Sequence, residues 1–385
     1  MKKLNVVLTG GGTGGHIYPL LAVAQELKKK AGEEGIVLDM RYFGAAVAYA
    51  QDIVDNDIEF VPILSSKLRR YWSVLNLIDG VKFLLSIPQL LWKLFWFMPD
   101  VVLSKGGPGA LPVVLVARWY RIPVLVHESD SIPGLTNVLS GRRAEKVFLA
   151  FESAAAYFAK TKVEVVGNPV RPSLLAAKES LGEDPAAARE AARKGFGLAD
   201  GEPLVAVLGG SQGAEKLNDF VLENLEDLLD EFQIIHQTGP LNYDSYKKQF
   251  DFTTKDWGDM EKNRYVFRPF FGKELADVLV AADLVISRAG SGLLFELAAF
   301  GKPSVIVPFE HSARDHQREN AIAYEKAGAC VIVTEENLLV GLLTDTVKRV
   351  LGDQQRYATM SQAAQAFYRP DAAYTIAVTL SQYAR

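Results

Sequence analysis

LNVVLTGGGTGGHIYPLLAVAQEL, residues 4–27, decides the class of fold. Leu4, Val6, Val7 and Leu8 form an apolar run that reads as a buried strand, and Leu20, Leu21, Val23, Ala24 and Leu27 give the following segment the apolar face of a helix. Between them, Gly10, Gly11, Gly12, Thr13, Gly14 and Gly15 leave a turn almost bare of side chains. Such a turn brings backbone N–H groups and the positive end of a helix up to a ligand, usually phosphate or sugar.

The same pattern spreads outward. Short Val-, Ile- and Leu-rich runs at residues 36–44, 59–63, 100–107, 122–129, 146–151 and 163–169 are separated by helix-length segments. That alternation predicts a parallel sheet covered on both faces. At residues 203–218, PLVAVLGGSQGAEKLN, strand, glycine turn and helix begin again, and runs at 232–239, 265–270, 283–292, 302–309 and 329–333 continue the series. The expected fold is α/β, two doubly wound domains with mainly parallel sheets. A chain of 385 residues is long enough for both. Residues 173–200 read as a surface helix and linker, with Asp184–Pro185 as N-cap and first helical position.

Composition narrows the partners. A hydrophobic content of 49% with 23% charged residues suits a folded chain with large cores. The net charge of −4 argues against a general nucleic-acid binder, since no excess of Lys and Arg exists to neutralise phosphates. The single cysteine, Cys330, lies in the apolar run AGACVIV, which excludes an internal disulfide framework and points to inert packing. The first residues enter a strand without a signal-peptide core, so a cytoplasmic location is expected.

Residues 71–98 break the pattern. Val74, Ile78, Val81 and Leu85 share a helical face, and PQLLWKLFWFMP crowds Trp92, Phe95, Trp96 and Phe97. Lys67, Arg69, Arg70, Trp72, Lys82 and Lys93 lie close by. A pair of core helices is one reading. A membrane span is disfavoured because Asp79, Gly80, Lys82, Pro88 and Lys93 interrupt the segment. Aromatics beside cations favour a patch lying on an anionic bilayer.

Gly10, Gly12 and Gly15 formally satisfy the dinucleotide pattern G-x-G-x-x-G, which also wants an acidic residue at the end of the next strand. That strand ends Arg41-Tyr42-Phe43-Gly44, with Asp39 in mid-strand and expected to be buried, so a nicotinamide cofactor is disfavoured. The five histidines, His16, His127, His236, His311 and His316, fall at strand ends or in turns, where ligands of open α/β sheets bind. In SRAGSGLLFELAAFGKPSVIVPF, residues 287–309, a strand ends and a helix begins at Gly290-Ser291-Gly292, which predicts a seat for a diphosphate. Glu296, one turn inside that apolar helix, is suited to accept from two ribose hydroxyls.

The ordered segments GGGTGGHIYP, VHESDSIPGLTN, GNPVR, LGGSQGA, HQTG, RAGSGLLFE and RDHQRENA resemble the MurG family of bacterial N-acetylglucosamine transferases across nearly the whole chain. The resemblance implies a GT-B fold, two Rossmann-like domains with an interdomain cleft, an inverting reaction and no required metal or other cofactor. It implies an acceptor domain over residues 1–172, which touches the membrane and is rejoined by a helix at about 369–385, and a donor domain over 201–368. Its substrates would be UDP-GlcNAc and lipid I at the cytoplasmic face of an anionic membrane, with the protein peripheral.

Residue by residue, the resemblance brings Thr13, Gly14 and Gly15 to the sugar and acceptor diphosphate and His16 to the reaction centre. Arg171 and Ser211 would bind the donor diphosphate, and Ser291, Gly292, Leu293, Leu294 and Phe295 would cradle the donor. Phe271 would read uracil through its backbone, Glu296 would hold the ribose, and Gln317 would bond GlcNAc hydroxyls. His16 is the first choice of base by pKa class and placement, with Glu128 and Asp130 as rivals. Arg69, Arg70, Trp72, Trp92 and Trp96 would meet the membrane.

Two positions depart from the family pattern. Ser129-Asp130 stands where the family usually has Gln-Asn, and a carboxylate cannot donate as an amide does. SKGGPGALP, residues 104–112, lacks the usual aromatic after its two glycines. A UDP-GlcNAc 2-epimerase, a glycolipid synthase and a non-catalytic nucleotide-sugar sensor are the competing readings.

Overall fold

The computed structural model describes residues 2–45, 47–64, 74–180, 184–210, 213–258 and 263–385. The chain divides into two compact units, Met1–Arg171 with Arg369–Arg385, and Pro172–Tyr368.

The first unit is built on a parallel sheet of seven strands: β1 (Lys3–Thr9), β2 (Val37–Gly44), β3 (Glu59–Pro62), β4 (Val101–Ser104), β5 (Val124–Glu128), β6 (Lys146–Leu149) and β7 (Val163–Val165). Their spatial order is β3-β2-β1-β4-β5-β6-β7. Successive β1 side chains point to opposite faces, and both faces are buried. Leu4, Val6 and Leu8 join a core with Ile17, Leu20 and Leu27 of the helix Gly14–Glu34. Val7 joins a second core with Leu90, Leu94, Val113 and Val116. Ile376 and Leu380, from the closing helix Ala372–Ser381, complete the first of these cores. Arg385 and Lys3 exchange backbone hydrogen bonds of 2.7 and 2.9 Å, so the end of the chain is tied to the start of β1.

The second unit repeats the plan with six parallel strands: β8 (Leu204–Leu208), β9 (Gln233–Gln237), β10 (Tyr265–Arg268), β11 (Leu284–Ser287), β12 (Ser304–Ile306) and β13 (Cys330–Ile332), ordered β10-β9-β8-β11-β12-β13. In each sheet the strand order reverses beside the opening strand, between β1 and β4 and between β8 and β11. Those reversals, at the carboxyl ends of the strands, are where doubly wound sheets bind ligands.

Three sequence expectations change here. Residues 173–200 are not a linker, because the helix Pro185–Gly195 folds onto the second unit. Asp184 caps it as expected, accepting from the N–H groups of Ala186 and Ala187 at 3.0 and 3.1 Å. What the Ala-rich sequence concealed is Arg193, only 1% exposed, which donates to Asp283 at 2.7 Å and to the carbonyl of Ala281. Residues 74–97 form one helix with Pro88 inside it, not a pair. Asp39 is part-exposed beside Arg41 rather than buried, since β2 lies near the sheet edge and Arg41 also pairs with Glu59 at 3.0 Å.

His236, read from its strand-end position as a ligand candidate, belongs to the core of the second unit. Its ring nitrogens meet the Tyr265 hydroxyl at 2.7 Å and Asn218 Oδ1 at 3.0 Å. Burial lowers its pKa to about 3. An unfolded chain takes up the imidazole proton below its ordinary pKa of about 6.5, whereas the folded chain does not, so stability falls with pH from there down toward 3. Each pH unit in that window costs about 1.4 kcal/mol for this one group. Urea unfolding at pH 6 and pH 5 should therefore show a larger loss for the native chain than for His236→Gln, and equal losses would contradict this account.

Candidate active site

At the carboxyl end of β1, Thr13 leads into the helix Gly14–Glu34 without a side-chain cap, and no acidic residue lies in its first turn. The first N–H groups are thus left for a ligand. Thr13 Oγ1 lies 2.8 Å from His16 Nδ1, and the Tyr42 hydroxyl donates to the carbonyl of Gly10 at 3.0 Å. A Cβ on Gly11 would meet the His16 ring at 2.9 Å, and one on Gly107, at φ +88°, would meet Gly11 Cα at 2.7 Å. The turns after β1 and β4 consequently pack backbone to backbone with the imidazole laid against them, which only glycine permits.

His16 is half-buried. Desolvation, reinforced by the Lys105 ammonium and opposed by Asp130, lowers its pKa to about 4. At neutral pH the ring is uncharged and able to take a proton.

Glu128, at the end of β5, is buried and fully engaged. One oxygen accepts from Asp130 N–H at 2.9 Å; the other accepts from Gly134 N–H at 3.1 Å and from Asn137 Nδ2 at 2.9 Å. Burial, then the Asp130 charge, raises its carboxyl pKa. His127 is a second correction to the strand-end reading of the histidines: it is 1% exposed and its Nε2 meets the Gly167 carbonyl at 3.0 Å. Arg171 is buried, with its guanidinium 4.9 Å from the Tyr18 ring centre.

Sequence reasoning overlooked three neighbours. Lys105 is 2% exposed and donates to Asn168 Oδ1 at 3.3 Å. Asn137 Nδ2 also reaches the carbonyl of His127 at 3.3 Å and that of Lys105 at 3.5 Å. Gly106, at φ +82°, is held so close that a Cβ would fall 2.4 Å from Asn137 Oδ1. A lysine directly after an apolar strand and before paired glycines was the available signal.

In the second unit, the helix Ser291–Ala299 begins at Gly290 with no side-chain cap and no acidic first turn. The Ser291 hydroxyl is buried with no hydrogen-bond partner among the described residues. A Cβ on Gly290 or Gly292 would meet nothing within 4 Å, so the space before this helix end is open. Amide N–H groups, a positive dipole end and an unsatisfied hydroxyl together suit an anion. Leu294, Phe295 and Glu296 are buried in the helix and Leu293 is half-buried, so the Glu296 carboxylate is not a solvated surface group.

Around it, Phe271 is buried and its N–H donates to Gln237 Oε1 at 2.9 Å, so that donor is already committed. Gln317 turns its side-chain carbonyl onto Phe309 N–H at 3.1 Å. The preceding Arg314 and Asp315 both hold left-handed backbone, φ 61° and 57°, a costly conformation for non-glycine residues that tends to cluster at functional loops. Arg288, also overlooked, is buried behind the helix start and pairs with Glu335 at 2.6 Å. Ser211 lies outside the described residues. No group of three or more His, Cys, Asp or Glu suited to a metal occurs among the described residues.

The chain matches the glycosyltransferase family 28 N-terminal domain over residues 6–149 and the family 28 C-terminal domain over residues 204–376. It is 35% identical over 341 residues to the UDP-N-acetylglucosamine–N-acetylmuramyl-(pentapeptide) pyrophosphoryl-undecaprenol N-acetylglucosamine transferase of Clostridium botulinum (strain Loch Maree / Type A3), covering 88% of each chain. The enzyme of the same name from Listeria monocytogenes is 35% identical over 372 residues, 96% of this chain and 97% of that one. Among solved structures, Acinetobacter baumannii MurG superposes with a TM-score of 0.69 at 24% identity, over 98% of this chain and 99% of that one. UDP-GlcNAc 2-epimerase from Neisseria meningitidis gives 0.68 at 16% identity, over 99% and 100%. At such identities these two likenesses establish the fold alone.

The lowered pKa of His16 has a direct readout. In NMR titration, its ring signals should keep the neutral form through pH 6 and move with a midpoint near 4. A midpoint near the ordinary 6.5 would remove the argument for a neutral base.

Proposed function

We infer the reaction from the premise that this chain belongs to the MurG family of glycosyltransferase family 28. It transfers N-acetylglucosamine from UDP-GlcNAc to the C4 hydroxyl of the N-acetylmuramoyl sugar in undecaprenyl-diphospho-MurNAc-pentapeptide, converting lipid I to lipid II in peptidoglycan synthesis. The structural observation that best fits a nucleotide-sugar donor is the uncapped start of the helix Ser291–Ala299 with its open approach.

In the mechanism proposed for these residues, the acceptor oxygen attacks the anomeric carbon as the bond from that carbon to the β-phosphate oxygen breaks. The stereochemistry inverts. The departing diphosphate gains negative charge, and the N–H groups at Ser291 and Gly292, with Ser291 Oγ, Arg171 and Ser211, would carry it. Glu296 would hold the ribose hydroxyls, Gln317 the GlcNAc hydroxyls, and Leu293, Leu294 and Phe295 the walls beside them. With its N–H committed to Gln237, Phe271 would read uracil through its carbonyl.

The proton leaves the acceptor hydroxyl for a base, and His16 is assigned that role. Its neutral ring and its place beside Thr13 Oγ1 and against the turns at Gly11 and Gly107 support the choice. Glu128 is less suited, since both oxygens already hold the 128–137 loop. Asp130 is given to sugar contact. Residues 1–172 with the closing helix are proposed as the acceptor side and 201–368 as the donor side.

A lipid acceptor calls for a membrane surface, and the helix Val74–Phe97 supplies a reason to propose one. Leu90, Leu94 and Phe97 are buried against the sheet, while Leu84, Leu85, Trp92, Phe95 and Trp96 face out, both tryptophans 67% exposed. Trp92 and Trp96 meet edge to face at 5.5 Å. No helix among the described residues is long and apolar enough to cross a bilayer. Peripheral binding at the cytoplasmic face is the proposal. Arg69, Arg70 and Trp72, its expected companions, lie outside the described residues.

The assay is UDP release from UDP-GlcNAc with and without a lipid I analogue. Release only with the acceptor, and a β-1,4-linked product by NMR, is expected; 2-epimerisation, or UDP binding without turnover, would defeat the reading. His16→Ala should lower kcat by about 10²- to 10⁴-fold with donor affinity kept. Trp92→Ala with Trp96→Ala should weaken binding to vesicles containing anionic lipid while UDP-GlcNAc binding persists, and unchanged vesicle binding would refute the membrane proposal.

A further inference from the structure

We propose that Glu335 is a positioning residue for the donor sugar: it pins Arg288 against the 307–317 loop, and through that loop it fixes the Gln317 amide assigned to the N-acetylglucosamine hydroxyls. The proposal rests on the donor reading above and deepens it, because it separates what reads the sugar from what reads the nucleotide.

Glu335 opens the short turn Glu335–Asn337 after β13, and its side chain is only 3% exposed. A carboxylate so placed is unfavourable unless cations and hydrogen bonds answer it. Two cations do. Oε1 pairs with Arg288 Nη2 at 2.6 Å, and Oε2 accepts from Lys216 Nζ at 2.8 Å. Arg288 directly follows β11, and Lys216 is the second residue of the helix Glu215–Glu223 that comes after β8. One carboxylate thus ties together segments that leave three parallel strands at their carboxyl ends.

The other end of the Arg288 guanidinium holds the next loop. Its Nη1 donates to the carbonyls of Val307 at 3.2 Å and Pro308 at 3.4 Å, and its central carbon lies 5.6 Å from the centre of the Phe309 ring. Phe309 N–H donates to Gln317 Oε1 at 3.1 Å, and Gln317 N–H donates to Ser312 Oγ at 3.2 Å. A backbone N–H can only donate, so it selects the carbonyl end of the Gln317 amide and leaves the Nε2 end to donate to a hydroxyl. Between these two residues Arg314 and Asp315 keep left-handed backbone, a shape that persists only while the surroundings impose it. Without Glu335, the buried Arg288 would have carbonyls and a ring as partners but no counter-charge, and the guanidinium would shift. Phe309 and the Gln317 amide would shift with it. Glu296 and the first turn of the helix Ser291–Ala299, assigned to ribose and diphosphate, belong to a different element.

The test is calorimetric binding of UDP and of UDP-GlcNAc, each alone, to the full chain and to E335Q, F309A and E335Q/F309A. E335Q should raise the Kd of UDP-GlcNAc by about tenfold and leave that of UDP within about twofold, the loss expected of one misplaced hydrogen-bonding group. F309A removes a part-exposed ring that Arg288 meets and should shift the ratio of the two Kd values the same way. The double variant should add little to either, as members of one network do. Equal losses for both ligands would mark Glu335 as a purely structural ion pair and overturn the proposal, as would an unchanged ratio or losses that multiply. Should E335Q fail to fold, E335D, which keeps the charge on a shorter stem, takes its place in the same cycle. A native chain that takes up neither ligand sinks the donor reading and this proposal with it. A native chain that binds both, with variants that keep its ratio, sinks the proposal alone.

Discussion

Helices normally satisfy their first N–H groups with a side-chain oxygen, at a gain of about 1 kcal/mol. The helix Pro185–Gly195 does so through Asp184. The helices Gly14–Glu34 and Ser291–Ala299, one at each candidate site, do not, in common with most helices among the described residues. What sets these two apart is the glycine-lined approach to their first N–H groups. Glycines keep side chains out of the approach, Tyr42 ties down the Gly10 carbonyl, and Arg288 is locked to Glu335 behind the second helix. The unspent hydrogen-bonding capacity, with the dipole behind it, is what the diphosphate of the proposed donor would meet.

How much of this the amino acids disclosed follows from the range of the interactions. Buried parallel strands are near-continuous apolar runs, so β1 and β8 with their glycine turns were legible from neighbouring residues alone. That Glu296 is not a solvated helix residue was legible too, because a carboxylate set among Leu294, Phe295 and Leu297 is conspicuous, and it is buried. Arg193 and Lys105 were not. Their burial depends on Asp283 and Asn168, 90 and 63 residues away along the chain, and no local pattern reveals such a partner. His127 and His236 misled for a related reason. A strand-end position says where a ring begins, not whether it turns outward or, as here, into the core.

The helix Val74–Phe97 combined two signals that the sequence presented as rivals. One stripe packs Leu90, Leu94 and Phe97 into the sheet, and the opposite stripe shows Trp92, Phe95 and Trp96 to solvent. A helix apolar on both sides cannot be sorted by periodicity, since the moment of each face cancels the other. Only the position of the sheet distinguishes them.

The hydrogen bonds between Lys3 and Arg385 carry a temporal meaning. During synthesis, β1 emerges before Pro172–Tyr368, and the helix that supplies Ile376 and Leu380 to its core emerges after it. The N-terminal lobe therefore waits, one flank of its core uncovered, until that helix has been made. The later-made lobe, continuous in sequence, has no such dependence and is free to mature first, reversing the usual N-to-C order in which domains assemble on the ribosome.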